Sequence, residues 1–258
     1  MTLTKRWILI AFTLLALIGL SGCGGTYNWG WHVILPTTPA GRNNLLFLLG
    51  GFGYTIALSL IAFVISIILG LAVALPGLSQ KRWARACNRI YVELFRAIPL
   101  LVLLLWVYYG LPVVLNINLD PFTASVIALA VGESAFQAEI FRAGVQSIER
   151  GQHEAADALG LGYLNKMRYI ILPQAIRRVL PPLANQFVYV LKMSALASII
   201  GMQELVRRAN ELVVSAYRPL EVYTFLVLEY LVLVLIVSWL VRRLEKRMGA
   251  NESLDRAV

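Results

Sequence analysis

The sequence predicts an all-α fold, a polytopic transmembrane helix bundle with a five-helix core plus one N-terminal hydrophobic helix. Three observations predict it. Of the 258 residues, 59% are hydrophobic and 14% charged, with a mean hydropathy of +0.72, so the folded chain must turn apolar side chains outward, and lipid is the solvent that accepts them. Several apolar runs approach or exceed the roughly 18–20 residues that carry a helix across about 30 Å of hydrocarbon. Alternation at strand period is scarce, and strands outside a closed barrel would leave backbone polar groups unsatisfied in lipid.

The first apolar run, residues 7–22, follows Lys5 and Arg6 and therefore enters from the positively charged, cytoplasmic side. Two forms are open for it. Leu20-Ser21-Gly22-Cys23 resembles a lipoprotein signal cleaved before Cys23, whereas a retained anchor helix is the favoured form for a chain with several further spans. Residues 24–44, with Tyr27, Trp29, Trp31, Pro36 and Pro39, suit an external loop with interfacial aromatic rings. The core spans follow at 45–75, 90–111, 122–145, 176–200 and 222–241. Lys81, Arg82, Arg85 and Arg89 mark one cytoplasmic connection, and Arg242, Arg243, Lys246 and Arg247 open a cytoplasmic tail. The loop 112–121 has no basic residue and belongs outside; 201–219 also falls outside, against the pull of Arg207, Arg208 and Arg218. Both ends of the unprocessed chain then face the cytoplasm. The expected organisation is an N-terminal anchor and loop at 1–44, one membrane domain at 45–248 and a tail at 249–258.

The net charge of +9 is explained by basic cytoplasmic loops rather than by nucleic acid. Cys23 and Cys87 are too few for a disulfide framework, and His32 and His153 sit in polar connections, so no metal or catalytic centre is expected. An HExxH zinc helix, a GxSxG nucleophile elbow and a GxxxxGK[ST] phosphate loop are all missing from the sequence.

The long connection at about 146–173 mixes charge with helix formers (Glu149, Arg150, Glu154, Asp157, Lys166, Arg168) and is broken by Gly160 and Gly162. It predicts two short cytoplasmic helices joined by a turn, of a kind that docks on a soluble partner. Within it stand Glu154-Ala155-Ala156, then Gly160, then Ile170 and Leu172-Pro173. Two alanines leave a helix surface shallow enough to enter a groove, Gly160 lets the chain reverse, and Glu154 offers a polar anchor. This arrangement resembles the EAA motif of ABC importer permeases. Tyr91-Val92-Glu93-Leu94-Phe95-Arg96-Ala97-Ile98-Pro99-Leu100, Ala138-Glu139-Ile140-Phe141-Arg142, Gly151-Gln152 and Leu172-Pro173-Gln174-Ala175 through Pro181-Pro182 to Leu191-Lys192 are similar to the branch that takes up polar amino acids. The likeness covers about residues 53–248.

The resemblance implies a permease subunit of the bacterial inner membrane whose coupling helix (Glu154, Ala155, Ala156, Gly160) lies in a cleft of a separate ABC ATPase subunit. That partner would bind the ATP, and this chain would need no cofactor of its own. It further implies an extracytoplasmic solute-binding protein, a second permease subunit, identical or homologous, and polar amino acid cargo, with opines or other amino acid derivatives as the alternative. An ion-coupled secondary transporter is the competing class, and it would leave the coupling segment without a task.

Ionisable residues in a span cost about 2.5–3.5 kcal/mol each and need a partner or a wet passage. Glu133, Lys192 and Glu229 are in that position, and Gln137 shares the helical face of Glu133. The substrate pathway expected from them comprises Glu133, Gln137, Lys192, Met193 and Ser194. The alternative is a structural ion pair of Glu133 or Glu229 with Lys192. Similar permeases carry an acid or amide where Met193 stands and a small hydroxyl residue where Glu133 stands. Glu139 with Arg142, and Glu93 with Arg96, have the spacing of salt bridges. Pro181-Pro182 predicts a hinge or a static bend.

Overall fold

The computed structural model describes residues 27–79 and 81–247. The expected hydrophobic helix at 7–22, the cleavage alternative at Cys23 and the tail at 249–258 lie outside the described residues. Two compact units are distinguished, one ending at Trp31 and one beginning at His32. In the described part of the first, Tyr27 meets Trp29 edge-on at 5.2 Å and Trp29 stacks on Trp31 at 5.5 Å.

Every regular element of the second unit is helical among the described residues. Helix α1 (Pro39–Leu49) starts inside the segment expected to be a loop, because Thr38 caps it by accepting the Gly41 N–H at 3.0 Å and Pro39 supplies a preset first turn. It runs through Gly50 into α2 (Gly51–Gly77), and together they form a 39-residue candidate crossing. Helix α2 buries a stripe of small residues, Thr55, Ser59, Ala62, Ser66, Gly70 and Ala74, against α6 (Pro121–Gln146), which Asp120 caps through the N–H groups of Phe122 and Thr123. The approach is close: a Cβ on Gly70 would stand 2.8 Å from the Gln137 Cβ. Small residues therefore set the helix spacing here, where lipid provides no hydrophobic drive between helices.

The expected single span at 90–111 is not continuous. Helix α3 (Arg82–Ala97) ends before Ile98 and Pro99, both extended, and α4 (Leu100–Leu105) continues through a π-helical turn (Trp106–Gly110) into α5 (Leu111–Leu115), at 95° to α3. The cause is local, since the Pro99 ring drives Ile98 out of the helical region. Asn88 fastens α3 to α2 by donating to the Val73 carbonyl at 2.7 Å.

After α6 come the short helices α7 (Arg150–Ala158) and α8 (Tyr163–Lys166), then a π-helical turn (Met167–Ile171) leading into α9 (Leu172–Met193). Helix α9 continues through Pro181 and Pro182 and closes in a 3-10 segment (Ser194–Ile200). The segment expected to be an external loop contains α10 (Leu205–Ala216), capped by Glu204, whose carboxylate accepts the Arg207 N–H at 2.7 Å and the Tyr230 O–H at 3.1 Å. Its arginines are used locally. Arg207 donates to Glu211 at 2.7 Å, and Arg208 donates to the Phe47 carbonyl at 2.7 Å while lying over the Phe47 and Tyr54 rings. Helix α11 (Pro219–Arg247) packs on α9 and α10 and leaves Val227, Leu231, Leu235 and Trp239 exposed, as a lipid-facing helix does. Helix α6, touched by α2, α3, α4 and α9, is the centre of the bundle.

Candidate functional site

Two regions collect the residues singled out in the sequence. The first is the hairpin after α6. Helix α7 ends in a Schellman closure: Gly160 adopts φ +70°, its N–H reaches the Asp157 carbonyl at 3.0 Å, and the Leu161 N–H reaches the Ala156 carbonyl at 3.1 Å. Lys166 pairs with Asp157 at 2.7 Å across the turn. Glu154 and Ala155 face outward, and Leu159, Tyr163 and Leu164 are 76%, 64% and 79% exposed. Ala156 is buried, which corrects the expectation that both alanines present the shallow face: the second packs inward. The apolar faces of Ile148, Ile171 and Ala175 form the seat beneath. Two glutamines that the sequence did not single out as a pair, Gln152 and Gln174, clamp α7 to α9, the Gln174 amide donating to the Gln152 carbonyl oxygen at 3.0 Å. Arg178 also donates to the Ser147 carbonyl.

The second region lies mid-bundle. Glu133 is 2% exposed, and its carboxylate accepts a hydrogen bond from the Gln186 amide of α9. Gln137, one turn on, donates to the Ser66 hydroxyl at 2.6 Å, and its own carbonyl oxygen stays buried and unpaired. Tyr91 and Ser134 share a hydrogen bond at 2.8 Å. Beside Glu133 a cavity of about 190 Å³ opens at the α3/α4 break, lined by Arg96, Pro99, Gly132, Phe136 and Tyr189. One wall of it carries a carboxylate and another a guanidinium.

The structure does not bring the remaining expected residues to this place. Lys192 is exposed and takes part in none of the ion pairs among the described residues, so the structural pair with Glu133 or Glu229 is not formed. The rotation of α9 turns Gln186, not Lys192, toward Glu133. Met193 packs with Leu100, Leu129 and Ala197, and the buried Ser194 hydroxyl is spent on the Leu191 carbonyl at 2.8 Å. Glu229 is buried with both carboxylate oxygens unpaired. Of the two expected salt bridges, Glu139 and Arg142 form theirs, with Arg142 Nε 3.1 Å from Glu139. Glu93 and Arg96 do not, because Arg96 instead stacks over the Phe136 ring at 5.2 Å. Gln186 and Tyr189 went unnoticed in the sequence, although their i, i+3 spacing sets them on one face of α9. Among the described residues no cluster of three or more His, Cys, Asp or Glu side chains is placed to hold a metal ion.

Comparison with known proteins gives this geometry its context. Residues 66–250 match the family described as binding-protein-dependent transport system inner membrane component. The chain belongs to that family. The glutamine transport system permease protein GlnP of Escherichia coli (strain K12) is 34% identical over 225 residues, 86% of this chain and 98% of the relative. The arginine transport system permease protein ArtQ of Bacillus subtilis (strain 168) is 35% identical over 225 residues, 87% of this chain and all of the relative. A chain in the crystal structure of an amino acid ABC transporter with histidines is 38% identical, with a TM-score of 0.76 over 80% of this chain and 96% of that one. The permease fold is thus shared as well as the sequence, and the helical bundle described above is a multi-pass inner membrane architecture.

Proposed function

We propose that this permease carries polar amino acids inward across the bacterial cytoplasmic membrane, driven by ATP hydrolysis on a separate ABC ATPase subunit. The observation that carries the proposal is the α7/α8 hairpin. It projects Glu154, Ala155, Leu159, Tyr163 and Leu164 outward from a rigid seat, in a protein whose relatives are named as permeases of transport systems. Exposed leucines and a tyrosine at the end of a polar hairpin fit a groove on a soluble partner better than they fit water. The basic residues of the α2/α3 connection and of the end of α11 support a cytoplasmic location for the hairpin and for both ends of the unprocessed chain.

For the cargo, the carboxylate of Glu133 and the guanidinium of Arg96 line one cavity, which is complementary to the ammonium and carboxylate of an amino acid zwitterion. Tyr189 adds a hydroxyl to the polar lining, and Gln186 donates to the Glu133 carboxylate. Glutamine and arginine, the substrates named for the relatives GlnP and ArtQ, are both of this class. A second permease subunit would close the passage, and an extracytoplasmic binding protein would deliver the cargo to it. Co-purification with the ATPase and uptake of labelled glutamine and arginine test the reading together. Glu154→Arg should release the ATPase and abolish ATP-dependent uptake; full uptake by the chain without any ATPase would overturn the proposal.

A further inference from the structure

A second cavity lies at the ends of α2 and α6 that meet α3 and shares Arg96 with the cavity beside Glu133. It measures about 660 Å³ and is lined by five arginines, Arg82, Arg85, Arg89, Arg96 and Arg142, against two carboxylates, Glu93 and Glu139. Glu139 is committed to Arg142, and Glu93 forms none of the ion pairs among the described residues. Arg82, Arg85 and Arg89 recur at i, i+3 and i+7 and form one stripe along α3, with no ion pair to any described residue.

The other faces of α3 say what the stripe is for. Ala84, Asn88 and Val92 are the buried face, packed toward α2. Trp83, Ile90 and Leu94 form a third face and are 67%, 66% and 53% exposed, with Lys81 over the Trp83 ring at 5.9 Å. A helix with an exposed apolar face ending in tryptophan, a separate arginine face, and a 95° bend into the next apolar helix has the build of an element lying in the headgroup layer. Three guanidiniums opening onto a concave site at that depth match a phosphate diester, and basic pockets between helices at the membrane surface recognise anionic headgroups.

The geometry points to a binding site for the phosphate headgroup of an anionic phospholipid in the α2/α3/α6 cavity, held by Arg82, Arg85 and Arg89, with the acyl chains along Trp83, Ile90 and Leu94. The leaflet follows from the orientation proposed above; headgroup binding itself does not depend on it. The site would tie permease conformation to lipid composition, because the cavity is walled by the broken span on one side and by the central helix on the other.

The full chain, stripped of lipid in detergent, tests this with four probes: dihexanoyl phosphatidylglycerol, dihexanoyl phosphatidylcholine, inorganic phosphate and glutamine. Phosphatidylglycerol should bind at least tenfold tighter than phosphatidylcholine, and millimolar phosphate or glutamine should not displace it. Each lost guanidinium should weaken binding about fivefold, that is about 1 kcal/mol per basic residue near an anionic surface. R85Q/R89Q together should therefore lose about 25-fold, while R85K/R89K should keep most of the affinity. Equal binding of the two lipids, displacement by inorganic phosphate, or undiminished binding by R85Q/R89Q would each overturn the assignment. The comparison of headgroups on the unaltered chain decides the matter even if a variant misfolds, and it is independent of transport.

Discussion

The amide of Gln186 on α9 donates a hydrogen bond to the buried carboxylate of Glu133 on α6, so two helices of the bundle are joined at the edge of the cavity that Glu133 lines. An acid at this depth costs about 2.5–3.5 kcal/mol on insertion scales, and one neutral amide does not repay that by itself. The remainder is the expected contribution of a cationic group in the cavity. Glu133→Gln should keep the shape and the link to Gln186 but lose the charge. The cargo concentration for half-maximal uptake should rise at least tenfold, the range of about 1.5–3 kcal/mol for a charge-assisted hydrogen bond. Uptake kinetics in proteoliposomes check this, and unaltered kinetics would remove Glu133 from the pathway.

Gly160 has open space around it, since no atom comes within 4 Å of an added Cβ, and its constraint is the backbone angle of +70° alone. Gly160→Ala should cost about 1–2 kcal/mol in the turn and lower cargo-stimulated ATP hydrolysis, while Gly160→Asn, better tolerated in the left-handed region, should cost less. Membrane insertion should be unaffected in both. ATPase assays on the reconstituted complex read the difference.

Gly70 and Gly53 sit on the same helix in opposite situations. The first faces Gln137 and the Ser134 carbonyl, with 2.8 and 3.0 Å left for a Cβ, and the second faces nothing within 4 Å. Gly70→Leu should split the α2/α6 contact and lower thermal stability by at least about 1–3 kcal/mol, the usual penalty for overpacking. Gly53→Ala should be neutral or slightly stabilising. Melting of the purified chain in detergent measures both.

Glu204, fully buried beneath α10, is pushed up to about 7 from the ordinary carboxylate range by desolvation, against the backbone N–H groups of Val206 and Arg207 and the Tyr230 hydroxyl that favour its ionised form. A folded-state value above the unfolded one means that the folded chain holds the proton more tightly. Stability should therefore fall as pH rises from about 4.5 to about 7 and level off above. In Glu204→Gln that slope should vanish, and above pH 7 the variant should melt higher than its parent. A variant with an unchanged slope would show that another group governs this range.

Much of the architecture was legible in the sequence because hydropathy alone determines which runs enter lipid. The middles of four of the five expected spans fall within helices, the fifth being broken at Ile98 and Pro99, and the paired short helices with a turn at Gly160 follow from a glycine among helix formers. What escaped is what depends on a single residue or on rotation. Apolar content cannot register the break at Pro99, although the rule for the residue before proline marks Ile98. Helix α10 hides in a segment too short and too charged to look like a span, and its signal is the cap at Glu204. Glu133 and Gln137 stood out as polar residues within a span and are buried as such, but the partner of Glu133 was not visible. Lys192 carries the opposite charge and invited pairing, yet side-chain direction on α9 is set by packing, and that packing turns Gln186 inward.

Helix α9 is held at two points, by Gln174 to the hairpin and by Gln186 to Glu133, and it runs unbroken between them. At a rise of 1.5 Å per residue those anchors are about 18 Å apart on one helix. Under the proposed function, a stroke applied to the hairpin would be carried along this helix toward the acidic wall of the cavity. Loading the cargo and firing the motor would then act on two ends of a single mechanical part.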